Sequence, residues 1–364
     1  MSAVNSKISF LQACMILMLM NGLTNHVIVN PMLLDAAGRD SWISVIAAGV
    51  LFVPWCLFLS VFMKRSGQSE LRPWLAKQTH PIVAWILTIP LIIQLYLIGA
   101  MTIVHTSAWT VTNYLPSTPK IVLSIVLTVL CATFAHWGIR VIAVMSGILL
   151  PFVILLGIFA GVSNYPEKNF NMLKPYLEFG ISPVINGMIY AGGGFVEIIV
   201  LIALQHHINA KVRPLHLLIY SSIMVYIMVG PLFGAITEFG PLEAAKQMVS
   251  PFEQWRLVRL GSYVEHVDFF SVYQWLAGAC VRISLSIFLV IDLLPLRNSH
   301  TKNSYIMLIA LSYIVLSVVP INEYTFYLWM YRFYFPISLV VLLAVSIAWV
   351  SVSAFAKQAK GGKT

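Results

Sequence analysis

Of 364 residues, 59% are hydrophobic and only 10% charged, at a mean hydropathy of +0.87. Soluble domains carry roughly a quarter charged residues, so this composition excludes a soluble globular chain. The net charge of +9 does not point to nucleic acid, because Lys and Arg fall in short gaps between apolar runs and build no basic stripe.

Apolar stretches of about 20 residues, each enough to cross some 30 Å of hydrocarbon, recur along almost the whole chain. They predict helices near 9–33, 42–63, 82–112, 119–136, 139–161, 183–205, 215–238, 265–294, 304–321 and 332–355. The first run follows Lys7 without a small-residue cleavage site and is expected to remain as the first membrane helix. The expected fold is all-α and polytopic: residues 1–364 as one integral membrane domain, with ten crossings. Segment 241–262 is too polar to span; Phe252, Trp255, Leu257 and Leu260 within it suggest amphipathic helices on a membrane face. Thirteen of the 22 Lys and Arg, from Lys7, Lys64 and Arg65 through Lys211, Arg213 and Lys302 to Lys363, fall on one side of this scheme. The positive-inside rule then makes both termini cytoplasmic.

The first helix contains Asn21-Gly22-Leu23-Thr24-Asn25, followed by His26, Asn30 and Pro31, and the sixth contains Gly192-Gly193-Gly194. Backbone groups freed by an interruption at membrane depth must be satisfied by protein, ligand or a water-filled cavity. Helices 1 and 6 open two halves of five, about 9–161 and 183–355, so the paired breaks predict a five-plus-five inverted repeat with a central substrate site. Gly22, Leu23, Thr24, Asn25, Gly192, Gly193 and Gly194 are the candidate substrate-binding residues. Freed N–H groups suit a carboxylate and freed carbonyls an ammonium, which favours a zwitterionic amino acid. For the glycines the competing reading is a close helix–helix contact.

Glu197 is the acidic residue this scheme places inside the hydrocarbon, where a charge costs at least about 2.5 kcal/mol. It is a candidate coupling residue: a neutral hydrogen-bond donor, a proton site or a partner for Arg282 of helix 8, with a structural interhelical bond as the plainer alternative. His26 and His105 lack a second ligand at i+3 or i+4 and read as interior polar contacts; His206-His207 reads as interfacial. Cys14, Cys56, Cys131 and Cys280 lie inside apolar runs without CxxC spacing and read as small hydrophobes. No metal or cofactor is expected, and no P-loop, GxSxG, HExxH or Rossmann pattern stands in a usable context, so no enzyme is expected.

Four separated segments carry a family resemblance. They are Ala37-Gly38-Arg39-Asp40-Ser41-Trp42-Ile43, the run Leu173-Lys174-Pro175-Tyr176-Leu177-Glu178-Phe179-Gly180-Ile181-Ser182-Pro183, then Phe195-Val196-Glu197, and Gly261-Ser262-Tyr263-Val264-Glu265-His266-Val267-Asp268 with Trp275 beyond. In these the chain resembles the B subunit of GerA-type spore germinant receptors, relatives of the APC amino acid permeases, over about residues 7–355. The resemblance implies a LeuT-like bundle in the inner membrane of a dormant bacterial spore. It also implies a small nutrient ligand, an amino acid, sugar or nucleoside, and A and C partner subunits. Glu265 joins the coupling candidates on this ground, while His266 and Asp268 stand where the family has Arg and Glu. A proton- or cation-coupled amino acid transporter, using Glu197 or Ser284 and Ser286, is the alternative; it lacks the helix-5 lysine that some permeases use, with none between Val141 and Gly161.

Overall fold

A computed structural model describes residues 7–259, 267–296 and 298–356. Helices make up the fold, in the order α1 (Phe10–Leu23), α2 (Asn30–Ala37), α3 (Ser41–Ser66), α4 (Leu71–Gln78), α5 (Pro81–Asn113), α6 (Lys120–Trp137), α7 (Ile139–Ser163), α8 (Ser182–Phe195), α9 (Val200–Leu204), α10 (Pro214–Phe239), α11 (Pro241–Ala244), α12 (Ser250–Leu257), α13 (Phe269–Leu293), α14 (Ser299–Val318), α15 (Glu323–Trp329) and α16 (Phe335–Phe355). Among the described residues, nine helical runs are long and apolar enough to cross a membrane, and the first, Phe10–Ser66, has 57 residues. At 1.5 Å per residue that run would reach about 85 Å, nearly three hydrocarbon thicknesses. Gly38, at a φ of +50°, and the 3₁₀ turn Gly38–Asp40 divide it, so two crossings share it and the expected ten result.

Local chemistry explains several boundaries. Ser9 and Gln12 form a reciprocal capping box at the start of α1, Gly67 closes α3 in the left-handed conformation, and Asn298 and Asn322 cap α14 and α15. Three boundaries differ from the sequence expectation. The tenth helix begins at Glu323 rather than near 332, because Tyr327 and Met330 are buried and draw a Tyr-rich, weakly hydropathic segment into the bundle. The short helix α4, unrecognised in the apolar runs, buries Leu71 and Leu75, and its Trp74 packs edge-on against Phe62 of α3. In segment 241–262, Phe252 and Trp255 of α12 turn into the protein against Trp109, Tyr114 and Phe159 instead of facing a membrane.

Burial ranks the helices. In the apolar windows of Ser182–His207 and of α13, 83% of residues are buried, against 22% for α7 and α14. The run α8–α9 and helix α13 therefore form the centre, and α7 and α14 form the rim. Small residues allow the tightest approaches: a Cβ on Gly278 of α13 would meet the Leu19 carbonyl of α1 at 3.3 Å, and one on Gly99 of α5 would collide with the phenol of Tyr313 in α14. That phenol donates to the Tyr96 carbonyl at 3.1 Å.

Gly99→Ala should lower the thermal unfolding midpoint of the detergent-solubilised protein, at an overpacking cost of about 1–3 kcal/mol. Gly161→Ala in α7, whose Cβ meets nothing within 4 Å, should leave the midpoint unchanged.

Candidate ligand site

The break in the first transmembrane segment is a π-helical turn, Thr24–Ile28, closed by the Val29 N–H donating to the Thr24 carbonyl at 3.0 Å. In a π ladder residue i donates to i−5, so the donor to the His26 carbonyl would be residue 31. Pro31 has no N–H. The Asn30 side-chain amide supplies the missing bond, its Nδ2 donating to the His26 carbonyl at 2.6 Å. The polar cluster that the sequence places here is thus partly a repair of the backbone, with His26 Nδ1 a further 3.3 Å contact to the Ile227 carbonyl of α10.

In the sixth segment the irregular stretch is not the glycines. Gly192, Gly193 and Gly194 lie inside α8, and the backbone tightens just after them into the 3₁₀ turn Val196–Ile199, which carries Glu197. The glycines are contact points: a Cβ would meet Leu339 at Gly192, the Phe335 carbonyl at 3.0 Å at Gly193, and the Asn25 Oδ1 at 2.5 Å at Gly194. They bring α8 against the first-segment break and against α16, as small residues do between membrane helices.

Glu197 and Arg282 meet at the centre. They are 0% and 2% exposed and form a bidentate pair, Nη1 to Oε2 at 2.6 Å and Nη2 to Oε1 at 2.7 Å, the geometry in which charge-assisted bonds are strongest. The Thr24 hydroxyl donates to Oε2 at 2.9 Å and the Tyr334 hydroxyl to Oε1 at 3.3 Å. Arg282 also donates from Nε to Thr102 Oγ1 at 2.9 Å and from Nη1 to the Met20 carbonyl at 3.0 Å. Gln94 extends the network, donating to the Tyr334 oxygen and accepting from Ser338, both at 2.9 Å. Five membrane segments therefore converge on one ion pair. Tyr334 itself closes a second π turn, Met330–Tyr334.

Around this network several buried acceptors have no protein donor among the described residues: Oδ1 of Asn21, Asn25 and Asn30. The amide nitrogens of Asn21 and Asn25 are directed to Tyr220 and Met224 of α10, leaving the oxygens available. A cavity of about 30 Å³ lies between the two π turns, lined by Ile28, Pro31, His105, Trp109, Phe326 and Met330 among others. That volume holds one or two waters. His105 Nδ1 has no partner among the described residues, and Trp109 stacks on Trp275 at 4.3 Å.

Of the sequence candidates, Thr24 touches Glu197, Asn25 faces Gly194, Leu23 packs on Gly278, and Gly22 is half-buried with open space at its Cβ position. Glu265 and His266 lie outside the described residues. Ser284 is engaged with the Cys280 carbonyl at 2.6 Å, whereas Ser286 Oγ is buried without a partner. Sequence reasoning missed Gln94, Thr102, Tyr334 and Ser338. Gln94 and Thr102, eight residues apart in an apolar helix, share one face, and that spacing was the signal available.

A profile of the family described as "Spore germination protein" matches residues 7–326. The chain belongs to this family. It is also 39% identical over 349 residues to Spore germination protein XB of Bacillus anthracis, covering 94% of this chain and 98% of the relative. The family is of germination permease type, and the apolar helices of the fold above agree with a multi-pass membrane protein.

Removing one member of a buried pair strands the other, at a cost of about 3–5 kcal/mol. Glu197→Ala and Arg282→Ala should each sharply lower the thermal midpoint of the purified protein. The double variant should lose less than the sum of the two, as a double-mutant cycle on unfolding would record.

Proposed function

We propose that this germination protein is the B-type subunit of a nutrient receptor, binding a small germinant, with an amino acid favoured, where the Thr24–Ile28 turn faces Gly194 and Glu197. The observation that carries this reading is the contact of two irregular segments through a buried, bidentate ion pair, beside three buried amide oxygens that lack a donor among the described residues. A ligand ammonium suits the Asn21, Asn25 and Asn30 oxygens, and a ligand carboxylate suits Arg282, at present held by Glu197. A carboxylate competing for that guanidinium would loosen the tie between the sixth segment and α13. Binding would then favour a second arrangement of the bundle, as differential affinity requires.

On this reading the bundle is the five-plus-five repeat, 9–161 and 183–355, in the inner membrane of the spore with both termini cytoplasmic, and A and C subunits convert the rearrangement into the germination signal. The family match and the 39% identity to a spore germination protein support the setting. Buried Ser286, without a partner, is the one feature favouring a cation-coupled amino acid transporter instead.

Spores carrying Asn25→Ala should need at least about tenfold more of the responsive nutrient, the equivalent of about 1.4 kcal/mol, with the protein present at its usual level. Gly193→Trp should abolish the response. An unchanged nutrient dose–response in both would remove this site. Loss of labelled amino acid uptake by vegetative cells, with normal germination, would establish the transporter.

A further inference from the structure

The sequence expectation gave no metal site, and read His206-His207 as interfacial because neighbouring residues usually face apart. The structure turns both rings the same way. They lie in the 3₁₀ turn Gln205–His207 that ends the sixth segment, and both Nε2 atoms reach one carboxylate oxygen, Asp292 Oδ2 in the last turn of α13, at 3.0 and 3.1 Å. The three donor atoms lie within 4.8 Å of one another. We propose that His206, His207 and Asp292 form a site for a borderline divalent transition metal of the Zn²⁺ class, which clamps the end of α9 to the end of α13.

The spacing fits. Zinc holds imidazole nitrogen at about 2.0–2.1 Å and carboxylate oxygen at about 2.0–2.2 Å, so tetrahedral ligand atoms stand about 3.3 Å apart. The two histidine-to-carboxylate separations, 3.0 and 3.1 Å, differ from that by a few tenths of an ångström. Two imidazoles with one carboxylate also suit zinc, nickel or cobalt better than magnesium or calcium, which take oxygen ligands.

The turn is held in place from both sides. The His207 carbonyl accepts from Ile8 N–H at 2.8 Å and the Asn209 N–H donates to the Ile8 carbonyl at 2.9 Å. Gln205 donates to the Ser69 carbonyl at 2.9 Å and its own carbonyl accepts from Gln68 at 3.3 Å. Phe288 packs on the His207 ring at 5.3 Å. Pinning of this kind presents ligands with little reorganisation.

Access is also built in. The three side chains are 14–21% exposed, and His206 and Asp292 line a cavity of about 270 Å³ that leaves room for water at the fourth position, as open zinc sites have. Glu70, Arg72 and Lys302 share the wall. Glu70 adds to the negative charge of Asp292, and Arg72 and Lys302 oppose it, Arg72 lying over the Trp85 ring at 4.9 Å.

The consequence reaches the central ion pair. Glu197 and Arg282 sit nine and ten residues before His206 and Asp292 on the same two segments. A metal at this end fixes those segments in the register that pairs Glu197 with Arg282, and ties the N-terminal residues to them through Ile8. This inference does not depend on a nutrient reading of the central site.

The test uses the full-length chain, purified without a polyhistidine tag, in detergent. Titration with Co²⁺ should give the visible absorption bands of tetrahedral cobalt at one equivalent, displaced by Zn²⁺, and Zn²⁺ should raise the thermal midpoint. His206→Ala/His207→Ala and Asp292→Asn should each weaken Zn²⁺ binding by at least about tenfold, while Gly161→Ala in α7 should not. Absence of the cobalt bands in the unaltered protein at millimolar Co²⁺ would overturn the proposal without relying on any variant. Equal Zn²⁺ affinity in folded Asp292→Asn protein would overturn it as well.

Discussion

A lipid interior contains no water to satisfy a stranded charge or a stranded carbonyl, and the bundle is arranged around that constraint. Its strictest expression is the Glu197–Arg282 pair. Either residue alone in the hydrocarbon would carry a prohibitive desolvation cost; together, with Thr24, Thr102, Tyr334 and the Met20 carbonyl, they bond both carboxylate oxygens twice and four of the five guanidinium N–H groups. Such a pair contributes less to net stability than its short distances suggest, because desolvation offsets much of the attraction. Its main effect is on arrangement: the first, third, sixth, eighth and tenth segments must meet in one register for every bond to form.

The same requirement explains the irregular helices. A π turn leaves a mismatched backbone ladder, and at 24–31 the mismatch falls on Pro31, which has no hydrogen to donate. Asn30 restores the bond from its side chain. The glycines of α8 answer a different need, removing the side-chain volume that would otherwise keep α8 away from Asn25 and from Phe335. The two features that look alike in the sequence as helix breakers therefore act differently: one changes the backbone hydrogen-bond ladder, the other lets neighbouring segments touch. What remains after the bonds are counted is a set of amide oxygens along the first segment, on Asn21, Asn25 and Asn30, without a donor among the described residues, the type of group a donor-rich ligand needs.

Burial places these features in the part of the protein best shielded from lipid. The sixth segment and α13 are covered on nearly all sides, and any shift between them is felt at both ends, at Glu197–Arg282 and at His206–His207–Asp292. Helices α7 and α14 expose most of their apolar side chains, as expected of surfaces that face lipid. A signal carried by this protein must move buried elements against one another, and the available movements are limited by the polar ties they share.

Composition and the spacing of apolar runs were enough to determine an all-α, ten-crossing membrane protein, because the thickness of hydrocarbon sets helix length directly and charge is excluded from it. The sequence also marked Asn21 to Pro31, Glu197 and Arg282, since a polar residue within an apolar run is conspicuous. It could not tell a π turn from an unwound break, nor a packing glycine from a hinge, because both depend on what lies across the interface. Tertiary structure alone decided that Glu197 pairs with Arg282, that Gln94, Tyr334 and Ser338 join them, and that adjacent histidines converge on Asp292. Those contacts join residues 85 to more than 200 positions apart, and helical periodicity carries information only about near neighbours along one helix.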